Sequence, residues 1–290
     1  MRKKYVLIVL AFLIIVCLNY HPELNFETNY QHWGWNLSLL ATILTLLIFR
    51  FRDSNNWKQK LGINFKYKDW IGFFITTTAI LIISFYLVDY LTSASGFEYK
   101  PKILHYKDYF SSNTRFFSIL GDYLYYIPET FNEEIFIGAF LLLGLERNFK
   151  KLDSNLSAIG IALIFSLMHQ AMYKWSPVQS GTILTVQTIM TLFFVGILRN
   201  VLILKTRKIA YSWAIHLSFN MIFFPGFFIN QSTEKFAGEP ERFNIVFGNL
   251  TMVLITGILA VTSLIWLNIN KLKKIGYKST GYNMRCYEKH

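Results

Sequence analysis

Eight apolar blocks, at residues 5–20, 34–49, 70–92, 116–145, 156–173, 181–198, 209–229 and 244–269, divide this 290-residue chain into stretches of bilayer-spanning length. A helix needs about 20 mostly apolar residues to cross the hydrocarbon layer. In lipid every backbone N–H and C=O must be bonded within the protein, so only helices and closed barrels can span. The pattern predicts an all-α fold, a polytopic membrane helix bundle of about eight transmembrane helices. The composition agrees, at 53% hydrophobic and 16% charged residues. The first block follows Arg2-Lys3-Lys4 and shows no small-x-small cleavage site, so it reads as an uncleaved anchor. Residues 1–270 are expected to form a single transmembrane domain, followed by a polar cytoplasmic tail at 271–290.

The net charge of +12 invites a nucleic-acid reading, and its distribution argues against one. With a cytoplasmic N-terminus and eight crossings, 22 of the 29 lysines and arginines fall in inside segments, including Arg199, Lys205, Arg207 and Lys208. That asymmetry follows the positive-inside rule and puts both termini in the cytoplasm. The expected partners are therefore membrane lipids, with no nucleic acid, because basic juxtamembrane segments meet anionic headgroups. Cys17 and Cys286 lie in different environments and form neither a disulfide framework nor a metal cluster.

Against this background the polar residues at depth stand out. Asn132-Glu133-Glu134 interrupts an otherwise apolar run between Pro128 and Leu145. Ionisable groups in hydrocarbon are costly and persist mainly where they line an interior site or pathway. The fifth block carries His169, and the seventh carries His216 and Asn220. A spacing of four puts His216 and Asn220 on one helical face. Counted from the basic cytoplasmic ends at ~1.5 Å per residue, Glu133 and His169 come to roughly 20 Å, and His216 and Asn220 to roughly 12 and 18 Å. Three spans thus bring carboxylates, imidazoles and an amide to overlapping depths. Taken singly, an intramembrane His or Asn can be interhelical glue. Glu129 can cap a helix broken near Pro128, and Asp89 and Asp122 read as interfacial or structural.

Two adjacent carboxylates in low dielectric cannot both ionise easily, so the pair is expected to share a proton. A carboxylate beside a His can take a proton from water and return it to a leaving amine. A second His with an Asn on its face can stabilise a developing oxyanion. Together the set describes amide hydrolysis by an activated water. The same groups admit a zinc site, with Glu133, His169 and His216 as a three-ligand set and water in the fourth position. No His-Glu-x-x-His helix occurs, the aspartyl-type signature is absent around Gly121-Asp122, and no Gly-x-Ser-x-Gly is present. A proton or ion transporter would also use acidic residues and histidines.

These residues resemble the CPBP family of CAAX prenyl endopeptidases and bacteriocin-processing (Abi) membrane proteins. Its signature, Glu-Glu-x-x-x-Arg, Phe-x-x-x-His and His-x-x-x-Asn on separate spans, is matched here by Glu133-Glu134, by Phe165 to His169, and by His216 to Asn220. The resemblance covers about 116–229, and Leu61-Gly62-Ile63 before the third span has a related look. It implies an intramembrane endopeptidase in a bacterial plasma membrane, crossing it many times and acting on a hydrophobic or membrane-anchored peptide. In that reading Glu133 activates water with help from His169, His216 and Asn220 stabilise the oxyanion, and Glu134 orients the set. Glutamate-activated water is favoured over zinc, since the spacing is not that of a dedicated zinc motif.

One position departs from the signature. Gly138 stands where the motif has Arg, and no other basic residue is expected inside the spans to replace it. The alternative implied is a CPBP-like protein of altered activity that binds a peptide or acts in immunity, with transport as a third function. Glycine there would also permit close helix approach.

Overall fold

The computed structural model describes residues 56–93, 129–149, 152–175, 183–223 and 250–279, with positions 43, 46, 47, 50, 51, 126, 127, 229, 230, 235, 236, 244, 247 and 248. Blocks 5–20 and 34–49 fall almost wholly outside the described residues, as do Asp122 and Pro128. The described chain is helical: α1 (Trp57–Lys60), α2 (Tyr67–Ser93), a π-helix (Glu134–Leu143), α3 (Gly144–Asn148), α4 (Ser154–Trp175), α5 (Val186–Thr206), α6 (Ala210–Phe223) and α7 (Leu250–Ser279). Two two-residue strands, β1 (Ile229–Asn230) and β2 (Lys235–Phe236), pair antiparallel between α6 and α7.

Among the described residues, three helical segments are long and apolar enough to cross a membrane: Ser154–Ala171, Val186–Thr206 and Leu250–Ile269. Their surfaces have the polarity of a membrane protein. Leu156, Ile159, Leu163 and Leu167 form an exposed apolar stripe on α4, and Leu254, Ile258, Val261 and Ile265 form another on α7. In water such stripes would be a liability, and in lipid they are the ordinary outer face. The apolar run of α7 ends near Ile269, but the helix continues into the polar tail as far as Ser279.

The sixth block is shifted from its sequence position. The apolar pattern stops at Arg199, yet α5 runs through it to Thr206 and closes on Arg207 in the left-handed region (φ 56°). Arg199 therefore lies within a helix long and apolar enough to cross a membrane, and it is only 5% exposed. The apolar run resumes just beyond Arg199, and a buried cation is tolerated there only when a partner on another helix compensates it.

Small residues bring α4 and α5 together. A Cβ placed on Gly196 would lie 3.0 Å from the Ala162 Cβ, so the backbones meet with no side chain between them. One turn further on, Asn200 Nδ2 donates to the Ala158 carbonyl at 2.8 Å. On the other face of α5, Gly257 of α7 packs against Phe194, and Thr191 donates to the Phe247 carbonyl at 2.7 Å.

Helix α6 is fixed by aromatic packing. The Trp213 ring stacks on Trp70 of α2 at 4.4 Å and meets Phe131 edge-on at 4.9 Å, while its Nε1–H donates to Thr130 at 3.0 Å. Thr78 of α2 donates to Ser218 at 2.9 Å. At the basic end, Gly62 takes φ +69° and its carbonyl accepts from the Ile209 N–H at 2.9 Å. A side chain at position 62 would be strained and would crowd Leu143, so the Leu61-Gly62-Ile63 segment is a docking turn against the start of α6.

Candidate active site

The two carboxylates sit where an α-helical stretch at 129–133 passes into the π-helix Glu134–Leu143, whose residues are all buried. The Gly144 N–H donates to the Ala139 carbonyl, the five-residue spacing of a π-helix. Such helices are rare, generally one turn long, and frequent at functional sites. The apolar pattern led to a membrane-spanning helix here, with a break near Pro128. Widening the helix at Glu134 changes which residues stack over one another beyond that point.

Glu133 and Glu134 have different surroundings. The Glu133 side chain is 31% exposed, whereas that of Glu134 has no exposure. Glu134 Oε2 accepts from the Ser212 hydroxyl at 2.6 Å, and Oε1 lies 3.2 Å from His216 Nδ1. The Arg199 Nε is also 3.2 Å from Oε1, an ion pair by distance although its N–H is not aimed for a hydrogen bond. On the opposite side of the imidazole, His216 Nε2 is 3.7 Å from Glu133 Oε2. The ring thus lies between the two carboxylates. The shared proton inferred from adjacency is not needed to keep Glu134 buried, because a guanidinium already stands beside it.

His169 comes from α4, with Nδ1 2.9 Å from the Phe165 carbonyl and the ring edge-on to Phe165 at 4.5 Å. It interacts electrostatically with both Glu133 and His216, so three helices converge on one spot. Asn220 lies one turn beyond His216 and is half-buried. Glu129, one turn before Glu133, is also half-buried. Gly138 faces the same carboxylate: a Cβ there would lie 3.6 Å from Glu134 Oε2 and 2.8 Å from Ile203 Cδ1.

Sequence reasoning missed two residues of this cluster. Ser212 carries no signal beyond its position one turn before His216 on the same face. Arg199 was assigned to the cytoplasmic side because it opens a run of cations. The hydrophobic residues that follow it, Val201 to Leu204, were the available sign that the span continues.

Residues 116–222 match the family model described as type II CAAX prenyl endopeptidase Rce1-like. The match supports CPBP family membership. The matched range holds all five candidate residues of the CPBP signature, Glu133, Glu134, His169, His216 and Asn220. The match and the apolar helices together support a membrane protein of a CAAX-type intramembrane protease kind. Comparison with curated proteins and with solved structures finds no match.

The zinc alternative was weighed on Glu133, His169 and His216. Among the described residues, no three His, Cys, Asp or Glu side chains come together in a way that could hold a metal ion. His216 presents Nδ1 to Glu134 at 3.2 Å and Nε2 toward Glu133 at 3.7 Å.

Proposed function

We propose that the chain is a multi-pass intramembrane endopeptidase of the bacterial plasma membrane that hydrolyses a peptide bond with a glutamate-activated water. The observation that carries this reading is the division of labour within the acidic pair. Glu133 is reachable by water, and Glu134 is sealed against Ser212, His216 and Arg199. A fully buried, compensated carboxylate suits holding a neighbour in place, and a partly exposed one suits moving a proton.

In this mechanism Glu134 accepts from His216 Nδ1–H and so fixes the tautomer and ring orientation. Nε2 is then directed toward Glu133, and a water lying beside the two is within reach of both. Glu133 takes a proton from that water as the oxygen adds to the substrate carbonyl carbon, and the C=O electron pair moves to the oxygen. His216 and Asn220, on one face of α6, supply donors to the oxyanion, and His169 supports the charge change at Glu133. The oxyanion collapses, the C–N bond breaks, and Glu133 returns its proton to the departing amine. The products are a carboxylate and an amine. The substrate is a hydrophobic or lipid-anchored peptide, entering beside lipid-facing helices.

Two variants test the reading in proteoliposomes offered either a lipidated Cys-aliphatic-aliphatic-X peptide or an unlipidated transmembrane peptide. Glu133→Gln and His169→Ala are expected to lower kcat by about 10²–10⁴-fold, the usual range for losing a proton-transfer group. Wild-type turnover by both variants would remove the protease assignment. Stable retention of the peptide without cleavage by the wild type would favour the binding or immunity role that an absent motif Arg suggests.

A further inference from the structure

Three observations meet at Gly138. The first is direction: a side chain at position 138 would start 3.6 Å from Glu134 Oε2 and aim at the buried carboxylate. The second is occupancy, since that space is filled by Ile203 Cδ1, 2.8 Å from such a Cβ, and by Ile209 Cγ2 at 3.1 Å. The third is charge. Arg199, one helical turn before Ile203 on the same face of α5, is buried with its Nε 3.2 Å from the other oxygen of Glu134. One face of α5 therefore fills the space beside Gly138 and brings a guanidinium to the carboxylate that a side chain at 138 would have met.

We infer that Arg199 is a positioning residue of the catalytic cluster, supplying from α5 the cation that position 138 does not provide. The inference rests on the endopeptidase reading above for its effect on turnover. Its structural half stands independently of that reading. A buried carboxylate needs a compensating cation, and an ionised Glu134 is the acceptor that keeps the His216 proton on Nδ1. Arg199 also lies over the Phe165 ring, 4.8 Å from its centre, and Phe165 is the residue whose carbonyl faces His169 Nδ1. The guanidinium thus touches the supports of both histidines without meeting the substrate. Its two terminal nitrogens have no hydrogen-bond partner among the described residues, so Glu134 is the charge it depends on.

The decisive experiment moves the cation back. Arg199→Met is expected to lower kcat about 10²-fold with KM little changed, the size of effect produced by a small misplacement of reacting groups. Arg199→Lys should recover part of that loss. The triple variant Arg199→Met, Ile203→Ala, Gly138→Arg, in which Ile203→Ala opens the space, should recover several-fold over Arg199→Met alone. Two readouts are independent of turnover. The His216 ring ¹⁵N shifts should report Nδ1–H in the wild type and the triple variant, and a mixed state in Arg199→Met. Thermal unfolding in bicelles should show Arg199→Met destabilised and the double variant Arg199→Met, Glu134→Gln restored toward wild type. A folded Arg199→Met with unchanged kcat and an unchanged His216 tautomer would overturn the inference. So would a thermal loss that Glu134→Gln does not relieve. If Glu133→Gln were fully active while the tautomer and stability results held, the endopeptidase reading alone would fall.

Discussion

Glu134 shows how much a single buried charge demands of its neighbours. A carboxylate with no solvent contact is supported by one hydroxyl, one imidazole and one guanidinium, each from a different point on α5 or α6. Ser212 is the smallest of these supports and the simplest to test. Ser212→Ala leaves Oε2 without its 2.6 Å donor in a site water does not reach. It should cost about 1–3 kcal/mol of stability, the range for orphaning a buried acceptor. Urea or SDS titration in mixed micelles would measure it, and a loss below the error of the method would mean that Arg199 and His216 suffice. The Glu133-Glu134 pair was legible as the centre of a candidate site, because two carboxylates in an apolar run have no packing use. Which of the two is sealed was not legible, since adjacency says nothing about which one faces solvent.

At the scale of elements, the site depends on how closely α4 and α5 approach. Gly196 sits against Ala162, and the same Cβ position lies 3.4 Å from the Phe165 ring. Gly196→Leu should push α4 outward, costing about 1–3 kcal/mol as overpacking does. It should also lower turnover, because Phe165 and His169 travel with α4. A Gly196→Leu protein of normal activity would mean that His169 is not held by this contact. The π-helix is the element that sequence could not announce. Its ten residues, Glu134–Leu143, read as an ordinary apolar helix, because an apolar run does not distinguish the wider winding. The span of α5 was misjudged for a related reason, since its end is set by a side-chain partner at Arg199 and not by hydropathy alone.

For the whole molecule, the basic end of the described helices is tied together. Arg207 pairs with Glu146, Ser154 donates to Glu146 at 2.6 Å, Arg147 donates to the Lys60 carbonyl, and Gly62 docks on Ile209. These positions should lie on one face of the membrane. Arg199 is eight residues short of Arg207, so it sits about 12 Å deeper at the rise of an α-helix. In a background with Cys17 and Cys286 replaced by Ser, single cysteines at 147 and 207 should react with an impermeant thiol reagent from the same side, the cytoplasmic one by charge. A cysteine at 199 should stay unlabelled from both sides. Labelling of 147 and 207 from opposite faces would break the arrangement.

The sequence by itself determined the solvent and the candidate site residues. Apolar blocks of bilayer length dictate helices, and carboxylates and imidazoles stranded within them mark the candidates for a site, since both follow from transfer costs paid residue by residue. Tertiary structure alone decided that His216 stands between the two glutamates, that Glu134 is the sealed one, and that Arg199 from α5 stands where Gly138 offers no charge. Each of these depends on a distance between helices far apart in the chain, and a pattern along one chain records no such distance.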